Sequence, residues 1–546
     1  MSPSMSAAVH VGRLGALAVA LGVGAAIASG TAVAWADASG DSGSSTHDTS
    51  ASASHNRAQR GPSRPSAASA KAAKNTVAPA ATATVSASRV PRVTAAAATV
   101  PTTGVGGSPT TPAAAPAVWA LAAGARREFA PSATARPTAA VMTSPSTLKS
   151  TPVGWVTGQA NGGAWPQTNN TSRQGVYGTD LGIMWFNGVN STVQLAFGDT
   201  FSGPNQTGDW RSNVLLLEDM TDRNLSNGLT LQNTGYAYQF IPAAPSKVFF
   251  IGSEVTNIPS SAVYVNGENY VNYFSVKSWD TPGRWTTNYS AMSKFVPGPN
   301  GGNWVLQNST VRSAGWFRSS TPYRAGDQNF QQAAYVVQPA DQVPTGGTQY
   351  LYAFGTPSGR AGSAFLSRVA VGSETDLTKY EYWDGSTWVA NKPAEAVAIL
   401  GDSTKSAGLF GFIKDIANNP KFFGGYFAGL TGAKTGGNVS ELSVQYNDYL
   451  KKYVVLYANG SNNVVLRTAD TPEGTWSDPV TIATSLQYPG LYAPMIHPLS
   501  GTGQLTDGSG TPDKSNLYWN MSLWGNYNVV LMQTDLSQLK PTTVVV

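Results

Sequence analysis

Asn213-Val-Leu-Leu-Leu-Glu-Asp219 recurs along the chain in four further copies. Two are close, Asn463–Ala469 (NVVLRTA) and Asn528–Thr534 (NVVLMQT), and two are weaker, Asn272–Ser278 (NYFSVKS) and Ser363–Val369 (SAFLSRV). The copies begin 59, 91, 100 and 65 residues apart. Sandwich strands follow one another about every 8–12 residues without a longer period, whereas propeller blades repeat at long intervals. Five copies therefore predict an all-β domain built as a five-bladed β-propeller.

Turn residues separate the predicted strands throughout this domain. Short apolar or alternating runs, divided by Gly, Asn, Asp and Pro, begin at Val153, as in all-β proteins. A turn that ends in Trp follows three of the copies, at Thr281–Trp285, Tyr382–Trp388 and Thr471–Trp476. We expect each Trp to lie between neighbouring sheets. The alternative is a β-sandwich whose strands merely resemble one another.

One segment, Gly408–Gly429, has helical periodicity, and it falls within the longest gap between copies. Its glycines and Pro420 predict a short insertion rather than a core element. We expect an insertion at about residues 400–435 of a propeller domain that spans residues 151–546.

The N-terminal residues predict export. Met1–Arg13 carries one basic residue and no acid, Leu14–Ala34 is apolar and small, and an A-x-A cleavage pattern follows. Residues 1–36 are therefore interpreted as a secretory signal peptide, with a retained membrane anchor as the alternative. Residues 37–150 are Ala, Ser, Thr and Pro with few large side chains, which predicts a disordered linker. We expect a secreted or envelope-associated protein with no membrane span after cleavage.

Charge and composition exclude several classes of function. Residues 37–150 hold eleven Lys and Arg against four acids, whereas residues 151–546 hold 23 against 26, which argues against nucleic-acid binding by the domain. The chain has no Cys and the domain one His, His497, so His/Cys zinc sites and a Cys nucleophile are excluded. A Ser-His-Asp triad would have to use His497. We expect a monomer with no metal and no cofactor, whose acid–base chemistry depends on carboxylates.

Two aspartates are predicted to oppose each other in the first sheet. Asp180 and Asp199 flank a hairpin centred on residues 189–190, in which residues whose numbers sum to 379 face each other. Opposed residues have Cβ atoms about 4.5–5.5 Å apart, so two like charges there destabilise the sheet. A retaining glycosidase needs two carboxyl groups about 5–5.5 Å apart. The pair therefore indicates a catalytic site.

Three alternatives are open at this point. A two-residue turn at Asn187-Gly188 would shift the register and bring Asp180 opposite Leu195. Each Asp alone is also a common turn-stabilising residue. A cation bound between the two carboxylates is the third alternative.

Five further residues are candidates for substrate binding. Arg211 and Asn213 lie in the segment WRSN at the start of a strand, where Arg211 can neutralise a carboxylate or bind sugar hydroxyls. Glu254 and Glu441 each open a predicted innermost strand, and such strand starts often point into the central channel of a propeller. His497 lies between prolines in the segment PMIHP. The alternatives are a surface ion pair for Arg211 and a structural hydrogen bond for His497.

Several motifs resemble a family of secreted actinobacterial proteins, long labelled a domain of unknown function and now associated with endo-D-arabinanases. The resemblance covers about Val153 to Leu536, and the motifs are GTDLGIMW at 178–185, FGDTF at 197–201, WRSNVLL at 210–216, TPGRWTTNYS at 281–290, GTPSGR at 355–360, IHP at 496–498 and YNVVLMQTDL at 527–536. The chain differs from the family pattern in its long linker and in the insertion Gly408–Gly429, which puts substrate length and branch preference in doubt.

The resemblance implies a five-bladed propeller that cleaves internal α-D-arabinofuranosyl linkages of arabinogalactan and lipoarabinomannan with retention of configuration. The family's acidic pair falls on Asp180 and Asp199, and we assign Asp180 as nucleophile and Asp199 as acid/base. A non-catalytic glycan-binding propeller of the cell envelope is the alternative, and a pentosan or sialic-acid hydrolase of another propeller type is a third hypothesis. A sialidase would need several arginines converging on a carboxylate, which the sequence does not clearly show.

Overall fold

The computed structural model describes five stretches of the chain, namely residues 145–159, 165–242, 254–281, 283–299 and 301–540. The predicted signal peptide (1–36) lies outside them, as does the predicted linker (37–150) up to residue 144. Among the described residues, none of the helices combines the length and the apolar character needed to cross a lipid bilayer.

In the described part of the chain, antiparallel strands account for nearly all of the regular structure, and they form five larger sheets that follow one another in sequence, together with one two-stranded ribbon. The first sheet has the order β2-β3-β6, with β2 (Ile183–Asn187), β3 (Thr192–Phe197) and β6 (Val214–Leu217), and a separate ribbon of β4 (Thr200–Gly203) and β5 (Thr207–Arg211) between β3 and β6. The second consists of β7 (Thr256–Val265), β8 (Glu268–Thr281), β9 (Arg284–Val296) and β10 (Asn303–Ser313).

The third sheet is the largest. It contains β11 (Gln332–Val337), β12 (Tyr350–Thr356), β13 (Ala364–Ala370), β14 (Glu381–Trp383) and β15 (Trp388–Ala390), with β16 (Ala398–Leu400) also paired to β13. The fourth sheet contains β17 (Leu442–Asn447), β18 (Lys452–Ala458), β19 (Val464–Ala469) and β20 (Val480–Ala483).

The fifth sheet is completed by the first strand of the domain. It contains β21 (Leu491–Ile496), β22 (Asn516–Leu523), β23 (Asn528–Asp535) and, outermost, β1 (Ser150–Trp155). Ser150 pairs with Thr534, and their hydroxyls lie 2.6 Å apart. The two ends of the domain are thereby joined in one sheet.

The first strands of the five sheets contact one another in a closed cycle, β2 with β7, β7 with β11, β11 with β17, β17 with β21, and β21 with β2. An apolar cluster fills each of the five spaces between successive sheets, because each sheet presents alternate apolar residues to both neighbours. Representative pairs across them are Ile183 and Phe274, Met292 and Phe365, Phe354 and Trp476, Leu466 and Trp519, and Leu531 and Phe197. A closed cycle of packed sheets is the architecture of a β-propeller.

The sequence repeat marks the third strand of four of the sheets. The copies at Asn213–Asp219, Ser363–Val369, Asn463–Ala469 and Asn528–Thr534 overlap β6, β13, β19 and β23, respectively. The copy at Asn272–Ser278 was assigned wrongly, since it lies in β8, the second strand of its sheet. Both β8 and β9 are long and largely buried, so the apolar pattern alone does not distinguish them.

Two of the three predicted tryptophans, Trp285 and Trp476, belong to apolar clusters between neighbouring sheets, and Trp388 packs against the cluster between the third and fourth sheets. Trp476 contacts the ring of Phe354, with centroids 5.7 Å apart, and so joins the fourth sheet to the third. The Trp388 ring packs 6.0 Å from Tyr352 of its own sheet. Trp285 stacks 6.0 Å from Phe274, also of its own sheet.

The predicted helical insertion lies between β16 and β17. It contains two short helices, α1 (Gly411–Ala417) and α2 (Ala428–Thr431). Isolated 3₁₀ turns occupy Thr171–Gln174, Leu225–Asn227, Asp327–Asn329, Ala340–Gln342, Leu377–Lys379, Pro393–Glu395, Phe423–Gly425 and Ser537–Leu539.

Candidate active site

The register of the first hairpin is the one that opposes the two aspartates. Asn187 pairs with Thr192 and Ile183 with Ala196, so paired residue numbers sum to 379 as predicted. The turn covers four residues, and the Asn187 side chain accepts a hydrogen bond from the Val189 N–H at 2.9 Å. The alternative two-residue turn, which would have brought Asp180 opposite Leu195, is therefore excluded.

The same register continues beyond the ends of the two strands. The buried hydroxyls of Thr179 and Thr200 lie 2.7 Å apart, and Gly178 bridges to Phe201. Between these pairs and the strands lie Asp180 and Asp199, both half-buried. The hairpin thus places the two carboxyl groups opposite each other where β2 begins and β3 ends.

Burial and mutual repulsion act on Asp180. Its pKa rises to about 8, chiefly because the carboxyl is withdrawn from water and secondly because Asp199 is charged. The Tyr492 hydroxyl donates a hydrogen bond to Asp180 Oδ2 at 3.0 Å, which opposes the rise in pKa. Asp180 Oδ1 is buried without a hydrogen-bond partner among the described residues.

Asp199 accepts more side-chain hydrogen bonds than Asp180 does. Thr256 Oγ1 and Trp210 Nε1 both donate to its Oδ1, at 2.6 and 3.0 Å. Burial raises the pKa of Asp199 to about 6, and these two hydrogen bonds limit the rise. At neutral pH the pair therefore holds one proton, mainly on Asp180.

A largely buried ion pair lies beside Asp180. Arg360, in the loop between β12 and β13, binds Glu441 through Nη2–Oε1 and Nε–Oε2 contacts of 2.7 and 2.9 Å. The guanidinium also lies 5.0 Å from the centre of the Tyr492 ring. Glu441 raises and Arg360 lowers the pKa of Asp180, so both act on the pair electrostatically.

Residues at the start of the first strand of four different sheets lie at this site. Asp180 precedes β2, Thr256 begins β7, Glu441 precedes β17 and Tyr492 lies at the start of β21. Residues distant in sequence therefore meet at one end of the sheets, as expected where the innermost strands surround an axis.

The two predicted acids at strand starts differ in their surroundings. Glu441 belongs to the cluster around Asp180 through Arg360. Glu254 lies two residues before β7, where its Oε1 accepts a hydrogen bond from Asn257 at 3.0 Å and its Oε2 lies 3.4 Å from the Tyr289 hydroxyl. Its neighbour Thr256 donates to Asp199, so Glu254 lies at the edge of the site.

Arg211 does not face the aspartate pair, which corrects its predicted contact with substrate. The side chain is buried, and its terminal nitrogens donate to the carbonyl oxygens of Ala237 and Gly175. The guanidinium lies 4.8 Å from the Tyr236 ring centre and 3.6 Å from Asp209. Its two terminal nitrogens thus hold the segments around the first sheet together.

Asn213 and His497 are also structural. Asn213 is fully buried, and its side chain binds the backbone of Ile241 and Asn257. His497 is fully buried, with Nε2 2.9 Å from Glu218 Oε2. Neither side chain has surface to offer a sugar, so the predicted substrate contacts are wrong for both.

Sequence reasoning did not assign four residues of the site, Trp210, Thr256, Arg360 and Tyr492. Trp210 and Arg360 lie inside the motifs WRSNVLL and GTPSGR, which were available as a signal. No local pattern distinguishes Thr256 or Tyr492, because their roles depend on how the sheets pack.

Gly198 leaves room for the Asp180 side chain. A Cβ atom at position 198 would lie 2.4 Å from Asp180 Oδ1, whereas one at the exposed Gly525 would meet nothing within 4 Å. We expect Gly198→Ala to turn the Asp180 carboxyl aside, with little change in thermal unfolding and a loss of about 10²-fold in whatever turnover the pair supports. Gly525→Ala is the control. Equal activity of the two variants would show that this position of Asp180 is not needed.

A cation between the two carboxylates was the third alternative for this pair. Among the described stretches, no group of three or more His, Cys, Asp and Glu side chains is arranged to hold a metal ion.

A family model described as a domain of unknown function, DUF4185, matches residues 166–409 and 430–533. No curated protein shows significant sequence similarity to the chain. Similar solved structures include a Bacteroides ovatus protein, at 13% identity and TM-score 0.39, covering 67% of this chain and 87% of that one.

Two further similar structures are an arabinofuranosidase and an arabinanase. One is the α-L-arabinofuranosidase of Podospora anserina, at 11% identity and TM-score 0.34, covering 72% of this chain and 98% of that one. The other is an exo-1,5-α-L-arabinanase from a bovine ruminal metagenomic library, at 10% identity and TM-score 0.35, covering 66% and 93%.

Proposed function

Since the chain belongs to the DUF4185 family, we propose that it is a retaining endo-D-arabinanase on a five-bladed propeller. Its substrates in this proposal are the internal α-D-arabinofuranosyl linkages of arabinogalactan and lipoarabinomannan. The opposed pair Asp180 and Asp199 is the observation that carries the proposed hydrolysis. The choice of D-arabinan is supported by the resemblance of motifs such as GTDLGIMW and FGDTF to the endo-D-arabinanase family.

The pair has the protonation that a retaining mechanism requires. The Asp199 carboxylate attacks the anomeric carbon while the Asp180 carboxyl gives its proton to the departing glycosidic oxygen. The bond from that oxygen to the anomeric carbon breaks, and an ester to Asp199 forms. Asp180, now ionised, removes a proton from water, which attacks the anomeric carbon and releases Asp199. Two displacements return the original configuration.

This assignment reverses the roles that we drew from the sequence. The nucleophile must be ionised, and Asp199, which accepts two hydrogen bonds, has the lower pKa of the pair. The general acid must be protonated, and Asp180 keeps its proton to a higher pH. The electrostatics therefore favour Asp199 as nucleophile and Asp180 as acid/base.

The pH dependence of kcat/KM tests the assignment. As pH rises through about 6, Asp199 loses its proton and activity appears; as pH rises through about 8, Asp180 loses its proton and activity falls. Tyr492→Phe removes a hydrogen bond that stabilises the Asp180 carboxylate, so we expect its alkaline limb to move to higher pH and its acidic limb to stay. If the acidic limb moved instead, Asp180 would be the nucleophile and Asp199 the acid/base.

Product analysis separates the enzyme from a glycan-binding module. The full chain is incubated with arabinogalactan, and the products are separated by size and assayed for reducing ends. We expect oligosaccharides of several lengths from the first minutes, because an endo-acting enzyme cleaves within the polymer. Binding of arabinan without release of sugar would establish the non-catalytic alternative.

The proposal extends to export and assembly. Residues 1–36 direct secretion, residues 37–150 act as a linker, and the mature chain is a monomer at the cell envelope. N-terminal sequencing of the exported protein tests the cleavage near residue 36, and light scattering tests the monomer.

A further inference from the structure

The insertion between β16 and β17 exposes large apolar side chains. Leu409 and Phe410 are 84% and 68% exposed, and Phe412, Phe423 and Leu430 each expose more than half of their surface. We call these five side chains the apolar tip. Several large apolar side chains exposed in one short segment indicate an interaction site with a protein or a membrane.

A packed aromatic base supports the tip, so its exposure does not come from a loose loop. The Trp316 ring lies 5.0 Å from Tyr426 and 5.9 Å from Phe427, and its backbone N–H donates to the Gly429 oxygen at 2.8 Å. The next residue, Phe317, has φ of +57° and is 81% exposed, which adds another apolar side chain beside the insertion.

The same segment is basic. Residues 405–434 contain Lys405, Lys414, Lys421 and Lys434 but a single acid, Asp415, whose carboxylate accepts a hydrogen bond from the Ser406 N–H at 2.9 Å. In the rest of residues 151–546, acids outnumber Lys and Arg. The apolar side chains and the positive charge therefore occur together in one segment of an otherwise acidic domain.

The segment is an addition to the family fold. The family model matches residues 166–409 and 430–533 and omits residues 410–429, which hold most of the tip. The insertion is anchored near the aspartate site, because the Gly436 N–H donates to the Ala361 oxygen at 2.7 Å and Arg360 is the next residue. The core sheets do not need the tip for their own packing.

We propose that the apolar tip and its lysines dock the protein on an anionic lipid surface. Phe and Leu side chains enter the boundary between headgroups and acyl chains, and the lysines bind the headgroup phosphates. A glycan platform fits less well, since two of the five side chains are leucines, which offer sugars neither a flat ring nor a hydrogen bond, and the lysines have no anionic partner in a neutral glycan. This inference goes beyond the proposed hydrolysis and does not depend on it.

Vesicle co-sedimentation of the full chain tests the proposal at 0.15 M salt, with phosphatidylcholine vesicles with and without phosphatidylglycerol. We expect binding to the anionic vesicles only. The triple variant Phe410→Ser, Phe412→Ser, Phe423→Ser should lower the partition coefficient about tenfold or more. Leu486→Ser removes an exposed leucine elsewhere, 91% exposed, and should bind as the wild type does.

Two further experiments test the role of the lysines and separate vesicle binding from hydrolysis. Lys405→Glu with Lys421→Glu should weaken binding to anionic vesicles, with unchanged thermal unfolding. The proposal would be overturned if the wild-type protein did not bind the vesicles. It would also be overturned if the triple variant bound them as the wild type does, because binding would then belong to another segment. A triple variant that loses only hydrolysis of soluble arabinogalactan would make the tip a glycan subsite instead. An inactive chain that still binds vesicles through the tip would refute the proposed function alone.

Discussion

Replacing Asp199 by Asn is expected to abolish hydrolysis of D-arabinan, with a fall in kcat on the order of 10⁴-fold or more. Asn keeps the shape of the side chain and an oxygen for the Thr256 and Trp210 hydrogen bonds, so the fold and the rest of the site remain. What it lacks is the negative charge that attacks the anomeric carbon. Release of reducing ends from arabinogalactan measures the loss, and affinity for the polymer should change little.

Asp180→Asn should behave differently, because an acid/base residue matters less when the leaving group is good. We expect a loss of about 10²–10⁴-fold on arabinan and a smaller one on an aryl D-arabinofuranoside. Azide should restore turnover of Asp180→Gly with an α-configured product, and of Asp199→Gly with a β-configured one. A β-configured product from Asp180→Gly and an α-configured product from Asp199→Gly would instead make Asp180 the nucleophile and Asp199 the acid/base.

Asp222→Asn is the matched control for both substitutions. Asp222 is an exposed acid in a loop of the same sheet, where its side chain accepts a hydrogen bond from the Asn224 N–H. Unchanged activity of this variant, with full activity of Asp199→Asn, would show that the pair is structural.

The second large effect concerns stability. Arg312 and Asp327 form a buried ion pair at 2.9 Å, with side chains 8% and 5% exposed. Asp327→Ala leaves the guanidinium buried without its counter-ion, which should lower the free energy of unfolding by about 3–5 kcal/mol. Chemical denaturation of the full chain measures the change.

Asp448→Ala is the control for that measurement. Asp448 lies 3.4 Å from Lys451 in a pair whose side chains are 46% and 67% exposed, so its loss should change stability by less than about 1 kcal/mol. Equal stability of the two variants would mean that water reaches Arg312 once Asp327 is removed.

Local patterns predicted the parts of the site that one hairpin builds. The opposition of Asp180 and Asp199 follows from a four-residue turn and a period of two, both of which are short-range properties. The third-strand repeat similarly located four of the five sheets. The wrong copy at Asn272–Ser278 shows the limit, since two buried strands of one sheet carry the same apolar pattern.

The rest of the site depends on long-range packing. Tyr492 reaches Asp180 across 312 residues of chain, and Arg360 reaches Glu441 across 81. His497 and Arg211 have the residue types of a sugar-binding site, yet Glu218 and backbone carbonyls bind them internally. The neighbouring sheet decides whether a polar side chain faces the aspartate pair or the core, and the local sequence does not specify which sheet packs there.

Hydrolysis of arabinan in the presence of methanol tests the central claim most directly, because methanol traps the anomeric centre before mutarotation. If Asp199 forms a covalent intermediate that Asp180 then helps to resolve, NMR of the early products should show new methyl α-D-arabinofuranoside ends. Methyl β ends would mean a single displacement and would contradict the double displacement proposed for the Asp180–Asp199 pair.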